Sequence, residues 1–230
     1  IPLLFSFHPR LKFYKAWTAL VPAIALPAAM FITWDYFFTK AGIWSFNPDY
    51  LTGIKWLGLP MEEVLFFICI PYACVFTFFC LNKLCQLEMN FRLENFITAV
   101  LVTGLFTLAI INFSKAYTFS AFLVLAILLV LAKSVFHVSW LGRFYMVYAI
   151  LILPFMVVNG VLTGSWIDNP VVIYNPSENL EIRLGTIPVE DVFYGMALIL
   201  FNLLVFVPLD EKRLSREMPL FFKDVQQTGI

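Results

Sequence analysis

The chain is poor in charge. Of its 230 residues 13% are Asp, Glu, Lys or Arg, whereas 61% are apolar. Soluble domains average nearer one half apolar, so a water-soluble globular domain is excluded. Acidic and basic residues balance at fifteen each, and no basic stripe indicates binding to nucleic acid. Apolar runs of about 20 residues instead predict membrane-spanning helices, which satisfy their own backbone hydrogen bonds in lipid.

Motifs for common cofactors are also missing. The chain has no Gly-x-Gly-x-x-Gly, no clustered His and Cys ligands, and no Asp-x-x-x-Asp of the kind that holds a diphosphate through magnesium. Its cysteines have neither disulfide nor zinc spacing and are typical of helix-packing residues, at Cys69, Cys74, Cys80 and Cys85. The sequence therefore predicts redox-neutral chemistry with no cofactor and no metal.

Hydropathy predicts six full transmembrane helices, at 16–38, 62–81, 93–112, 117–133, 144–162 and 190–208. The apolar residues 1–7 are too few for a span, and we interpret them as the end of a seventh, N-terminal helix. Two long loops, 39–61 and 163–189, separate the first two and the last two full spans. The predicted fold class is an all-α, polytopic integral membrane helical bundle.

A repeat with an offset of 128 residues organises the chain. Phe46-Asn47-Pro48 precedes Pro60-Met61-Glu62-Glu63-Val64, and Tyr174-Asn175-Pro176 precedes Pro188-Val189-Glu190-Asp191-Val192 at the same spacing. A single Pro-x-Glu-Glu is an ordinary helix start, but two copies with matched upstream residues indicate an internal repeat. We predict a first repeat at 1–92, a linking helix at 93–112, a second repeat at 113–209 and a polar C-terminal tail at 210–230. The linking helix lets the two three-helix repeats insert in parallel.

Basic residues predict the orientation. Eleven Lys and Arg residues fall on one predicted face and four on the other, which are Lys40, Lys55, Lys115 and Arg183. The positive-inside rule makes the richer face, with the C-terminal tail, cytoplasmic. Both long loops and both acid pairs are then expected on the opposite side, most simply of a bacterial cytoplasmic membrane.

Carboxylic acids at the mouths of the helices are the candidate catalytic groups: Glu62, Glu63, Glu190 and Asp191, with Asp35 as support. Carboxyls that crowd together near lipid cannot all be charged, so at least one should keep a proton. A protonated carboxyl beside an apolar cavity is a general acid for an apolar substrate. The alternative interpretation is that these acids are solvated helix caps.

Aromatic residues surround the predicted acids and form a candidate substrate site. Such rings stabilise a carbocation through cation–π attraction without reacting as nucleophiles, although an interfacial aromatic belt is the alternative. Two asparagines either orient a carboxyl or only shape their turns. The predicted substrate-binding residues are Trp34, Trp44, Phe46, Asn47, Phe66, Tyr174, Asn175, Phe193 and Tyr194.

Several of these motifs resemble the membrane-embedded, flavin-free lycopene cyclase family. The resemblance is carried by Phe31-Ile32-Thr33-Trp34-Asp35, by Leu59-Pro60-Met61-Glu62-Glu63 and by Gly185-Thr186-Ile187-Pro188-Val189-Glu190-Asp191. It covers nearly the whole chain and is closest in form to the fused single-chain members, related to the cyclase half of a fungal bifunctional enzyme.

The resemblance implies cyclisation of the acyclic ends of lycopene to β-rings, giving β-carotene through γ-carotene. The expected partners are lycopene, or a related carotenoid, and the lipid bilayer. Sequence alone leaves open which carboxyl is acid and which is base, how many ends react, the ring type and the oligomeric state. The alternatives are a cyclase of another carotenoid or ring type and a proton-coupled transporter that uses the carboxyls as a relay.

Overall fold

The computed structural model describes residues 1–85 and 87–217. It contains six helices long and apolar enough to cross a membrane, which confirms the predicted all-α polytopic bundle. A four-residue helix, α1 (Pro2–Phe5), precedes these six helices. The six are α2 (Trp17–Lys40), α3 (Met61–Leu84), α4 (Phe91–Ile111), α5 (Ala116–Val130), α6 (Leu141–Leu162) and α7 (Val189–Glu217). A π-helical turn, Leu131–Val135, extends α5.

The last helix is longer than predicted. Helix α7 runs through Pro208 and ends at Glu217, so residues 210–217 continue the helix instead of opening a separate tail. The hydropathy falls after 208, but the helix persists because polar side chains now pair along it: Arg213 donates to Asp210, one turn earlier, at 2.8 Å. The rest of the predicted tail, 218–230, lies outside the described residues.

Helix α7 is the centre of the bundle, where it packs against α2, α3, α5 and α6, while α4 packs against α5. Small buried residues allow α2 to approach it closely, among them Ala19, Ala23 and Ala28. Without a hydrophobic driving force between helices in lipid, such small residues favour association through close van der Waals contact. Helix α7 is therefore held by four neighbouring helices.

Short strands in the two long loops, which hydropathy did not predict, join the repeats. Strand β1 (Trp44–Phe46) pairs antiparallel with β4 (Val172–Tyr174). Each loop also contains a small hairpin, formed by β2 (Lys55–Trp56) with β3 (Leu59–Pro60) and by β5 (Arg183–Leu184) with β6 (Ile187–Pro188). Because β1 and β4 are paired, both loops and both acid pairs lie at the same end of the bundle, as a parallel arrangement of repeats requires.

The two loops reach α3 and α7 by the same hydrogen bonds. Met61 N–H donates to the carbonyl of Ile54 and Val189 N–H donates to that of Ile182, both at 2.9 Å and 128 positions apart. The predicted repeat thus has matched local geometry at the start of both helices. The domain limits at 92, 112 and 209 stay predictions.

Candidate active site

A cavity of about 390 Å³ lies between α3, α6 and α7, beneath the paired strands β1 and β4. Its walls are mostly apolar. Among the residues that line it, the acidic ones are Glu63 at the start of α3 and Asp191 at the start of α7. The site is therefore an apolar chamber with two carboxyls at its loop end.

Three side chains donate hydrogen bonds to Asp191. The Tyr117 hydroxyl donates to Oδ1 at 2.5 Å, the Tyr174 hydroxyl to Oδ2 at 2.9 Å, and the Asn159 amide to Oδ2 at 3.3 Å. Asp191 is buried, and donors of this kind favour the ionised form of a carboxyl. These donors offset part of the cost that burial imposes on a charged carboxyl.

Glu63 has a different environment. No donor within the described residues hydrogen-bonds its carboxyl, and its accessible surface opens into the cavity. A carboxyl in apolar surroundings without donors is most stable as the neutral acid.

The first acid of each pair points away from the cavity and binds its own loop. Glu62 Oε1 accepts the backbone N–H of Thr52 at 2.7 Å, and Glu190 Oε1 accepts that of Leu180 at 2.7 Å. Glu190 also accepts a hydrogen bond from the Thr118 hydroxyl at 2.6 Å. Only the second acid of each pair lines the chamber, because neighbouring residues on a helix point about 100° apart. The predicted catalytic roles of the four acids stay predictions.

Asp35 holds one of the residues of the cavity wall in place. It is buried and does not line the cavity, but its Oδ1 accepts the indole N–H of Trp44 at 2.5 Å and the Thr39 hydroxyl at 3.4 Å. Trp44 itself lines the cavity. Asp35 is therefore placed to orient Trp44.

Four aromatic rings form a wall around the two carboxyls. Trp44 lies 5.2 Å from Tyr117 and 6.5 Å from Tyr194 between ring centroids, and Tyr117 stacks on Tyr174 at 5.8 Å. Burial, followed by the negative charge of Asp191, raises the pKa of Tyr174 well above its ordinary value. The Tyr174 hydroxyl therefore stays protonated and remains a donor.

The structure brings together five of the predicted substrate residues in the cavity wall: Trp44, Phe46, Phe66, Tyr174 and Tyr194. The other four lie outside it. Trp34 packs behind Tyr194 at 5.1 Å, and Phe193 faces Phe122 at 5.0 Å, on the side of α5. Their placement is corrected: both rings pack between helices.

The predicted asparagines, which are also outside the wall, shape turns. The Asn47 side chain accepts the backbone N–H of Asp49, and that of Asn175 accepts the N–H of Ser177, both at 3.1 Å. Each therefore caps a short 3₁₀ turn after its strand, which is a favoured role of asparagine before proline. Within the described residues, neither side chain hydrogen-bonds a carboxyl.

Two donors to Asp191 were missed by sequence reasoning. Tyr117 has no repeat partner in this sequence, because the position 128 residues earlier precedes Ile1, so the repeat gave no signal for it. Asn159 is an amide within an otherwise apolar span, and a polar group at such a position is itself an indication of function.

The cavity lies across the two repeats. Several wall residues are partners at the offset of 128, including Glu63 with Asp191, Phe66 with Tyr194, and Ile70 with Leu198. The two carboxyls are thus equivalent in the repeat but different in their surroundings. Within the described residues no group of three or more His, Cys, Asp or Glu side chains is arranged to hold a metal ion.

The comparison with known proteins matches two segments of the chain, one in each predicted repeat. A family model described as lycopene cyclase matches residues 1–81 and 114–209. The chain belongs to the lycopene cyclase family. The segment left unmatched, 82–113, contains α4.

Two curated fungal relatives are similar over shorter stretches. The bifunctional lycopene cyclase/phytoene synthase of Neurospora crassa is 32% identical over 66 residues, 29% of this chain and 11% of that protein. The protein of the same description from Aspergillus niger is 37% identical over 51 residues, 20% of this chain and 9% of that protein. The aligned segments thus span about a tenth of the length of these relatives. No solved structure shows significant similarity to this lycopene cyclase family member.

Proposed function

We propose that this protein is a lycopene β-cyclase that closes the acyclic ends of lycopene by acid/base chemistry without net electron transfer. The observation that carries the proposal is the contrast between Glu63 and Asp191. Both carboxyls open into one apolar, aromatic-walled cavity, yet Asp191 accepts three hydrogen bonds and Glu63 accepts none from the described residues. Such a contrast separates an acid from a base.

Glu63 is the proton donor in this proposal. Its neutral carboxyl transfers the proton to C2 of the terminal 1,2 double bond, and the positive charge forms at C1, a tertiary carbon. This transfer needs an acid that faces an apolar substrate directly, with no water or donor between them. Glu63 meets that need because its accessible surface is the cavity itself.

The aromatic wall and the Asp191 carboxylate stabilise the cation. The π-electrons of the 5,6 double bond attack C1, which forms the C1–C6 bond and moves the positive charge to C5. The faces of Trp44, Tyr117 and Tyr194 attract such a charge, by about 0.5–2 kcal/mol for each ring. A nearby carboxylate adds electrostatic stabilisation that is strong in an apolar site.

Asp191 is the base that ends the reaction. It accepts the proton from C6, the 5,6 double bond forms again, and the product is a β-ring. A carboxylate with three donors is a weak base, but the cation is a very strong acid, so a weak base suffices. One proton enters and one leaves, and the starting state returns when the proton passes from Asp191 back to Glu63.

Pigment analysis in a lycopene-accumulating bacterial host tests the proposal. The full-length protein should convert lycopene to a cyclic carotenoid, identified as β- or ε-ringed and as one- or two-ringed by chromatography and mass. We expect Glu63→Gln and Asp191→Asn to lower conversion at least a hundredfold at equal membrane yield. Glu62→Gln is the matched control, since it changes the adjacent carboxyl, which faces the loop, and should keep conversion within about threefold.

Two results would contradict this assignment. Unchanged lycopene with well-inserted wild-type protein would reject the cyclase function and direct attention to proton-coupled transport, which a pH-gradient assay in vesicles would detect. Equal losses in Glu62→Gln and Glu63→Gln would reject the division between a loop-binding acid and a reacting acid. We further propose the bacterial cytoplasmic membrane as the location, with the C-terminal end of α7 on the cytoplasmic side, because the basic residues are concentrated at that end.

A further inference from the structure

A second cavity, of about 650 Å³, lies at the end of the bundle away from the two long loops. It is bounded by the C-terminal parts of α3 and α7, by the beginning of α6 and by the segment that leads into α2. Many of its lining residues are partners at the offset of 128, among them Lys15 with Arg143, Phe78 with Phe206, and Phe79 with Val207. This cavity therefore lies between the two repeats, as the chamber of Glu63 does at the loop end.

Cations outnumber acids around this second cavity. The cationic residues that line it are Lys12, Lys15, Lys83, Arg143 and Arg213, and the acidic ones are Asp210 and Glu211. Asp210 pairs with Arg213 at 2.7 Å, and the other ion pair of the described residues, between Glu94 and Lys133, lies elsewhere. Four cations then face the single carboxylate of Glu211. We call this cavity the basic groove.

Two of the cations are held in place by neutral neighbours. Lys83 Nζ donates to the backbone carbonyl of Leu11 at 3.1 Å, and the Arg143 guanidinium donates to the side-chain oxygen of Asn82. Each bond uses one donor of a group that has several, and neither acceptor neutralises the charge. The groove is thus a positioned cationic surface with donors left for an anion.

The basic groove also has an apolar side. Phe79, Val207 and Leu214 line it beside the cations, together with Trp140. Because the ends of spanning helices lie at the level of the lipid headgroups, cations at this depth meet phosphate groups while apolar side chains meet the first carbons of acyl chains. Basic pockets between spanning helices bind the headgroups of anionic lipids in this way. A soluble anion would use the cations and leave the apolar side without a partner.

We propose that the basic groove binds the phosphate headgroup of an anionic phospholipid, with Lys15 and Arg143 as the cationic contacts contributed by the two repeats. Charge-assisted hydrogen bonds from such groups are the strong contacts to phosphate. The bound lipid ties the repeats together at the end opposite the paired strands β1 and β4. This site is separate from the proposed active site, and its occupation does not depend on the cyclase function.

Lipid binding by the purified full-length protein tests the site. In neutral detergent micelles, phosphatidylglycerol or phosphatidylcholine is added, bound lipid is counted by native mass spectrometry, and thermal unfolding is followed. We expect phosphatidylglycerol to bind and to raise the melting temperature, because a ligand of the folded state stabilises it by mass action. Lys15→Gln combined with Arg143→Gln should weaken this binding about tenfold or more, since both interfacial charges are removed.

The chain offers a matched control at its other end. Lys55 and Arg183 are also one Lys and one Arg at the offset of 128, and they lie in the two hairpins of the long loops. Lys55→Gln combined with Arg183→Gln removes the same charge from the protein. Its binding of phosphatidylglycerol should stay within about twofold of wild type, because charges a full span away from the groove are screened.

An exchange variant separates loss of charge from loss of fold. Lys15→Arg combined with Arg143→Lys keeps both charges and should bind phosphatidylglycerol within about threefold of wild type. Loss of binding in this variant as well would attribute the effect to packing and overturn the cationic site. Where the Gln pair does not insert, Lys15→Gln alone gives the comparison with wild type.

Three further results would overturn the proposal. The first is equal binding of phosphatidylglycerol by the wild type and the Gln pair, and the second is equal binding of phosphatidylcholine and phosphatidylglycerol by the wild type. The third is inorganic phosphate that raises the melting temperature at the same concentration as phosphatidylglycerol, which would assign the groove to a soluble anion. None of these measurements uses cyclisation as its readout, so their failure leaves the proposed function intact.

Discussion

Glu62 and Glu190, which are 128 positions apart, make the same hydrogen bond. Each Oε1 accepts the backbone N–H of the residue ten positions earlier, Thr52 in one case and Leu180 in the other, at 2.7 Å in both. The bond ties each long loop to the first turn of the helix that follows it. This leaves the second acid of each pair free to face the cavity, so one dipeptide both fixes the loop and supplies the carboxyl that we propose reacts.

The loop bond should be worth more at Glu190 than at Glu62. Glu190 is fully buried and also holds Thr118, whereas the Glu62 bond is exposed. We expect Glu190→Ala to lower the free energy of unfolding by about 1–3 kcal/mol, since a donor is left unsatisfied in a buried site. Glu62→Ala should cause a smaller loss because water replaces its carboxyl. Thermal unfolding in detergent compares the two, and equal losses would contradict the argument.

Much of the fold could be predicted because it depends on composition. Runs of apolar residues set both ends of five spans and the start of the sixth to within three residues, and the repeat placed both acid pairs at one end. The hairpins could not be predicted, since strands of two residues leave no periodicity. Their turns depend on single backbone angles, such as the positive φ of Gly58 (+85°) and Gly185 (+66°), which glycine adopts readily.

The site was only partly predictable, for a physical reason. Sequence shows that Glu62 and Glu63 are adjacent, but which of them faces a cavity depends on the rotation of α3 against its neighbours. The donors to Asp191 come from α5, α6 and the second loop, which are distant in sequence. The contrast between Glu63 and Asp191 therefore arises from packing. The sequence repeat gives no sign of this contrast, because it shows only that the two positions are equivalent.

Removing a donor from Asp191 should weaken catalysis. Tyr117→Phe deletes the 2.5 Å hydrogen bond to Oδ1 and keeps the ring. A hydrogen bond to a charged group is worth about 1.5–3 kcal/mol, so we expect kcat to fall about tenfold or more, with a small change in KM. Tyr145→Phe is the control, because its hydroxyl pairs with Thr98 outside the cavity. Equal effects of the two variants would show that the Tyr117 hydroxyl serves only packing.

Asp35 and Trp44 should act as a unit. Their 2.5 Å bond is buried, and within the described residues Asp35 Oδ2 has no hydrogen-bond partner. Trp44→Phe leaves the carboxyl dependent on the long contact with Thr39, so it should destabilise the protein more than Asp35→Asn does. In a double-mutant cycle we expect a coupling of about 1–2 kcal/mol.

Glu94 provides the comparison for that cycle. It pairs with Lys133 at the end of α5 away from the long loops, so Glu94→Gln combined with Trp44→Phe should give additive changes in the free energy of unfolding. Additive changes in the Asp35 cycle would instead mean that Trp44 and Asp35 are held independently by their surroundings.

Gly195 keeps the cavity open. It lines the wall on α7, and a Cβ added there would meet Phe155 and the Tyr148 hydroxyl at 3.5 Å, which is ordinary contact. We therefore expect Gly195→Ala to retain cyclase activity, whereas Gly195→Leu should fill the chamber and lower activity at least tenfold. Gly104→Leu is the matched control, since a Cβ at Gly104 meets nothing within 4 Å. If Gly195→Leu inserts normally and converts lycopene as fast as Gly104→Leu, the substrate end does not occupy this chamber and the assignment of Glu63 and Asp191 fails with it.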